Sequence, residues 1–218
     1  MKSRLSSPRK INEKYIEKMI YRVFRASYEE DRGGYLASPD LIYVTDVSQC
    51  LLKSWFNRAF GEPPSDEKVV ILVLGDDVHY LLNERFPIGK GEESAERSIN
   101  GVRIRGRADR VFSESIIEFK TATFIPSKPR DHHVLQLQLY LWLFDKKYGF
   151  IAYVSKRNGK VKAFKVMRDE DIIKKLLDRA MILSKHLKEG TMPEPEKGWL
   201  CDYCEYKSWC PVHRDEDQ

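Results

Sequence analysis

Gly101-Val-Arg-Ile-Arg-Gly106-Arg-Ala-Asp109-Arg-Val-Phe-Ser-Glu-Ser-Ile-Ile-Glu118-Phe-Lys120-Thr121 is the stretch that decides the fold. Val102, Ile104, Gly106 and Ala108 alternate with Arg103, Arg105, Arg107 and Asp109, the period-2 pattern of a half-buried strand with the acid on its polar face. Ser113-Glu114-Ser115 is a polar turn, and residues 116–120 read as the partner strand, with Glu118 and Lys120 on one face. One hairpin thus carries two carboxylates and an amine. Carboxylates on adjacent strands supply the hard oxygen ligands that Mg²⁺ or Mn²⁺ takes, and a neighbouring lysine can orient an attacking water. Phosphodiester hydrolysis needs these parts. The plainer reading is that Glu118 and Lys120 form an exposed ion pair worth about 0–1 kcal/mol.

Working outward, the elements on either side read clearly. Residues 66–86 form a helix with His79 one turn after Gly75, and residues 92–99 a strand that turns back through Asn100-Gly101. After Thr121, residues 122–130 contain two prolines and two basic residues, a loop placed to edge a substrate channel. Residues 131–147 are a strongly apolar helix interrupted by Gln136 and Tyr140, which face together at i and i+4; His132 and His133 read as polar residues of its first turn. Residues 150–156 and 161–166, joined through Asn158-Gly159, give a second hairpin, and residues 169–189 a long amphipathic helix ended by Gly190. Upstream, residues 1–10 are a basic tail and residues 11–29 an amphipathic helix broken by Gly33-Gly34. Residues 46–60 form a helix with Thr45 as its N-cap and Cys50 on its length. This order implies an α/β fold, a mixed sheet between helices. Arg103, Arg105, Arg107 and Arg110 are either a solvated strand face or a set of DNA phosphate contacts.

The C-terminus is organised by cysteines. Cys201 and Cys204 are two residues apart, Cys210 follows and precedes Pro211, and Cys50 lies far upstream. Two thiolates that close in sequence chelate one centre through a tight loop, and Cys50 as fourth ligand would clip remote parts of the chain together. Zinc modules bring their ligands as two local pairs, so three clustered thiolates and a remote one favour iron-sulfur, as 4Fe-4S or 2Fe-2S.

Composition excludes several classes. At 218 residues with 42% hydrophobic and 33% charged residues, the chain suits one substantial globular core rather than disorder. The longest apolar run, residues 69–74, is too short to cross a bilayer, and the basic N-terminus lacks the apolar stretch of a secretory signal, so a cytoplasmic protein is expected. A net charge of +5 favours a polyanionic partner only mildly.

Gly106-x-x-Asp109, Glu118-x-Lys120 at a strand end and Gln136-x-x-x-Tyr140 on the next helix resemble the PD-(D/E)xK nuclease core in its RecB-like form. With Cys50, Cys201, Cys204 and Cys210 added, the sequence looks like the CRISPR-associated Cas-four exonucleases. The resemblance covers roughly residues 40–212. It implies a PD-(D/E)xK core of a largely antiparallel sheet flanked by helices over residues 65–190. Residues 1–64 would be a helical segment contributing Cys50, and residues 191–218 would complete a small iron-sulfur subdomain. It implies further that Asp109, Glu118 and His79 ligate Mn²⁺ or Mg²⁺, that Lys120 orients water, and that Gln136 and Tyr140 position DNA. The activity implied is 5′ to 3′ exonuclease cleavage of single-stranded DNA in CRISPR spacer acquisition, beside other CRISPR adaptation proteins. Two other classes stay open: a DNA-binding assembly factor with a vestigial site, and a redox-responsive subunit of a CRISPR integration complex.

Overall fold

The computed structural model describes residues 12–32, 38–61 and 64–214; the basic tail and the Gly33-Gly34 break lie outside them. The chain divides into two compact units, Met1–Tyr35 with Pro64–Asp76, and Leu36–Pro63 with Asp77–Gln218. The smaller holds helix α1 (Glu13–Arg32) and the first half of α4 (Asp66–Arg85). Arg25 donates there to Asp66 Oδ1 and to the carbonyl of Pro64, each at 3.0 Å.

The larger unit is built on a six-stranded mixed sheet flanked by helices, as the sequence pattern requires. Its strands are β1 (Leu41–Tyr43), β2 (Lys90–Ile99), β3 (Val102–Val111), β4 (Ser115–Ala122), β5 (Tyr148–Ser155) and β6 (Val161–Met167). Three neighbouring pairs are antiparallel, β2 with β3, β3 with β4 and β5 with β6. Asn100 and Gly101 both take positive φ, 47° and 79°, as a two-residue hairpin turn between right-twisted strands demands. β4 and β5 run parallel because helix α5 (Asp131–Leu143) carries the chain back between them.

β1 is not visible in the sequence. Three residues, Leu41-Ile-Tyr43, pair in parallel with Arg103, Ile104 and Arg105 of β3, and so short a run has no period to read. Ile42, Ile104, Ile116, Leu137, Leu141 and Ile151 are fully buried between the sheet and the helices. Two glycines permit this packing. A Cβ on Gly149 would stand 2.8 Å from Leu137, and one on Gly106 would stand 2.6 Å from Val44 and 2.7 Å from the Tyr140 ring.

The helix expected over residues 46–60 is two helices, α2 (Val44–Val47) and α3 (Leu51–Ala59). Tyr43, not Thr45, caps the first: its amide donates to Asp46 Oδ2 at 2.9 Å. Arg179, on helix α6 (Glu170–Glu189), divides the two by donating from Nε to the carbonyl of Val47 at 3.0 Å and from its fork to that of Gln49. The guanidinium thereby satisfies two carbonyls at the break between the helices. Cys50 therefore sits at the N-cap of α3 instead of within a helix.

A second correction concerns Arg110. It is 6% exposed and donates to the carbonyls of Gly89 at 3.2 Å, Phe86 at 3.0 Å and Asn83, closing the C-terminal end of α4. A cation there satisfies end carbonyls and opposes the negative pole of the helix. Arg103, Arg105 and Arg107 are paired with Glu96, Glu96 and Glu92 of β2, so this row is a cross-strand ion-pair face. Arg110→Ala is expected to lower unfolding stability by about 2–4 kcal/mol in denaturant titration, whereas Arg107→Ala changes it by less than about 0.5 kcal/mol.

Candidate active site

β3 and β4 hold only two ladder pairs, Arg110 with Ile117 and Val111 with Ile116, and then part. At the position where Asp109 would face Glu118, a side chain replaces the ladder: the Phe119 amide donates to Asp109 Oδ2 at 2.7 Å. The Asp109 side chain is 13% exposed, so it borders solvent without projecting into it. His79, from α4, brings Nδ1 to 3.6 Å from Asp109 Oδ2.

Glu118 is 3% exposed, which removes the exposed ion-pair reading. Its Oε1 accepts from Lys120 Nζ at 2.7 Å and from Gln136 Nε2 at 3.0 Å. The same amide donates to the Tyr140 hydroxyl at 3.0 Å, which uses both of its protons. Oε2 is buried with no partner among the described residues. A carboxylate oxygen left bare in the interior costs several kcal/mol unless it is protonated or meets a cation. Burial accordingly raises the Glu118 pKa from 4.5 to about 7, with the Asp109 charge adding to the rise and Lys120 opposing it. Tyr140 is held well above the ordinary phenol range, chiefly by burial and next by the Glu118 charge, so it stays neutral.

Folded Glu118 holds its proton more tightly than the unfolded chain does, so its contribution favours the fold below about pH 4.5 and is lost as pH rises through about 7. Thermal melts of metal-free protein between about pH 4.5 and 7.5 should show a fall that is smaller in Glu118→Gln.

The structure brings Asp109, Glu118, Lys120, Gln136, Tyr140 and His79 to this opening. Among the described residues, no three His, Cys, Asp or Glu side chains are gathered tightly enough to hold a metal as they stand. His133 is more than a first-turn polar residue. Its Nδ1 lies 2.7 Å from the Tyr153 hydroxyl, which also accepts from the Arg130 amide at 3.0 Å. Burial first, and the Lys120 charge next, pull its pKa down to about 2 and keep the ring neutral.

The four cysteines are free thiols lining one apolar cavity. Cys201 lies in a 3-10 turn, Trp199–Tyr203, with Cys204 just after it and Cys210 just before the short helix α7 (Pro211–Arg214). Tyr206 fastens this segment to α3 by stacking on Phe56 at 5.0 Å and donating to Asn57 Oδ1 at 2.8 Å. Arg179 also donates to Glu196 at 3.0 Å, so one guanidinium fixes both the loop before Cys50 and the approach to Cys201. Nothing in the sequence marked Arg179, because its partners there are main-chain carbonyls more than a hundred residues away.

A mixed sheet that opens between two strands each bearing one acid, with a lysine two residues past the second acid, defines the nuclease class expected from the motifs. The chain belongs to the PD-(D/E)XK nuclease superfamily, whose family model matches residues 9–211. It is similar to the CRISPR-associated exonuclease Cas4 of Saccharolobus solfataricus, 27% identical over 84% of this chain and 93% of that protein. The crystal structure of SSO0001 superposes with a TM-score of 0.72 at 27% identity, covering 91% of this chain and 99% of that one. The alkaline exonuclease LHK-Exo of Laribacter hongkongensis shares the fold, at a TM-score of 0.51 and 13% identity over 76% of this chain and 93% of that one. The resemblance to the CRISPR-associated exonucleases is thereby borne out.

Proposed function

We propose that the protein is a divalent-metal-dependent DNA exonuclease that degrades single-stranded DNA from the 5′ end and serves CRISPR spacer acquisition in the cytoplasm, beside other adaptation proteins. The observation that carries the reading is Glu118: a buried carboxylate with one oxygen held by Lys120 and Gln136 and the other bare, where β3 and β4 part at Asp109. Superfamily membership and the similarity to a CRISPR-associated exonuclease support it.

The residues fit a hard divalent cation. The bare Glu118 oxygen and the Asp109 carboxylate offer anionic ligands, and the His79 imidazole beside Asp109 tilts the preference toward Mn²⁺ over Mg²⁺. Such an ion would polarise the scissile phosphate and offset charge on its oxygens. Lys120 holds its Nζ at the carboxylate, placed to orient water for in-line attack. Gln136 and Tyr140 hold the Glu118 rotamer from behind, which fixes where its second oxygen points.

The cysteine cavity fits an iron-sulfur cluster: four free thiols, none in a disulfide, around one apolar space. Held by Cys50, Cys201, Cys204 and Cys210, such a cluster would join the α3 N-terminus to the C-terminal segment, a structural role.

End-labelled single- and double-stranded DNA incubated with Mn²⁺, Mg²⁺ or EDTA tests the activity. Metal-dependent shortening of 3′-labelled single strands from the 5′ end, absent with Asp109→Ala, is expected. Equal cleavage by Asp109→Ala, or none by wild type in either metal, refutes it.

A further inference from the structure

Between Asp145 and Asp169 the chain carries eight lysines and arginines and no acid, a greater charge than the +5 of the whole protein. The end of β4 and the loop after it, Phe119 to Arg130, are free of acids as well. The two segments meet. Ser155 Oγ donates to the Thr123 carbonyl at 3.0 Å, the Lys156 amide to that of Ala122 at 2.8 Å, and Lys162 Nζ to that of Ser127 at 3.4 Å.

At their junction stands Phe124, 61% exposed, with the Arg157 guanidinium 4.8 Å from its ring centroid. A large aromatic left mostly in water is not explained by core packing. Lysines on the edge strand β6 discourage strand-to-strand aggregation, but that role gives Phe124 no purpose. Arg157 and Lys162 make no ion pair among the described residues, so their charges are available to a polyanion.

The sheet register links this patch to the opening between β3 and β4. Lys120 pairs with Tyr153, and Tyr153 with Lys162, so the three side chains lie in one cross-strand row on the same side of the sheet. Tyr153 is fully buried in the middle of this row, so the exposed link runs along the chain: Phe124 follows Lys120 by four positions, two residues past the end of β4. Four residues of chain span at most about 14 Å, so a DNA strand held at Lys120 brings an unpaired base to the Phe124 ring.

We infer that Phe124 and Arg157 form a base-stacking platform for single-stranded DNA, with Lys162 on the neighbouring edge strand holding the backbone beside it. The geometry selects single strands, because a base inside a duplex has no free face to offer. The inference rests on the nuclease reading only in taking DNA as the ligand, and stacking on the platform requires no catalysis.

The test is fluorescence anisotropy of a labelled oligothymidylate of about 15 nucleotides, within the span of such sites, in EDTA so that nothing is cut. Phe124→Ala should weaken binding roughly 5- to 150-fold, the range for loss of one stacked base, and Phe124→Trp should restore it. A duplex of equal length should bind both variants like wild type. Arg157→Ala should lower the slope of log affinity against log salt by about 0.7. Unchanged single-strand affinity in Phe124→Ala, or an equal loss for duplex, overturns the platform while leaving the nuclease reading in place. A wild-type protein that binds no DNA overturns both.

Discussion

Glu118→Ala is expected to reduce the proposed Mn²⁺-dependent DNA cleavage by at least about a thousandfold while leaving the melting temperature at pH 7.5 equal to or above that of metal-free wild type. The size follows from the work asked of the site. A metal that neutralises phosphate charge supplies several kcal/mol, and about 4 kcal/mol corresponds to a factor near a thousand. The stability half of the result follows from burial. A carboxylate with a bare interior oxygen is a cost to the metal-free fold near neutral pH, and alanine removes that cost along with the side chain. Lost activity with a large drop in melting temperature would instead make Glu118 a structural group. Single-turnover cleavage beside calorimetric melts distinguishes the two.

Cys204→Ala is expected to purify without the iron proposed for the wild type and to melt roughly 10 °C lower. In the chain as folded, Cys204 lies between a 3-10 turn and a segment held to α3 by Tyr206 and by the Lys53–Glu205 ion pair. A cluster shared with Cys50 would close a very long loop, and a staple of that reach is worth about 3–4 kcal/mol, or about 10 °C for a chain of this size. Iron analysis after anaerobic purification and a thermal scan read the two effects separately. A colourless wild type containing zinc would overturn the iron assignment, and an unchanged melt in Cys204→Ala would remove the structural role.

The hairpin that organises the larger unit was legible because its information is local. Period-2 alternation from Val102 to Asp109 states which side of β3 is buried, and Asn100-Gly101 states where the chain reverses. Gln136 and Tyr140 were legible for a similar reason: polar groups within an apolar helix require partners, and Gln136 finds them in Glu118 and in Tyr140 itself. Three features lay beyond such reading. β1 is too short to show a period. Arg110 looked like one more member of an arginine row until its bonds to the end of α4 separated it from Arg103, Arg105 and Arg107. The break before Cys50 is imposed by Arg179 from α6, and a run with the apolar stripe of one helix gives no notice of it. Each is set by tertiary contact, which overrides local propensity.

The parting of β3 and β4 explains why one stretch served both fold and function. If the ladder continued past Arg110 and Ile117, the Phe119 amide would be taken by the backbone instead of Asp109. Opening the sheet there trades main-chain pairing for a carboxylate fixed by a main-chain donor, next to a buried glutamate whose second oxygen is free. Placing two acids this close is unfavourable until a cation joins them.

Calorimetric titration of Mn²⁺ into apo-site protein, wild type against Glu118→Ala, measures that cation directly. The account predicts saturable binding in wild type that is lost in Glu118→Ala. Equal binding by the two proteins, or none by wild type, would contradict it.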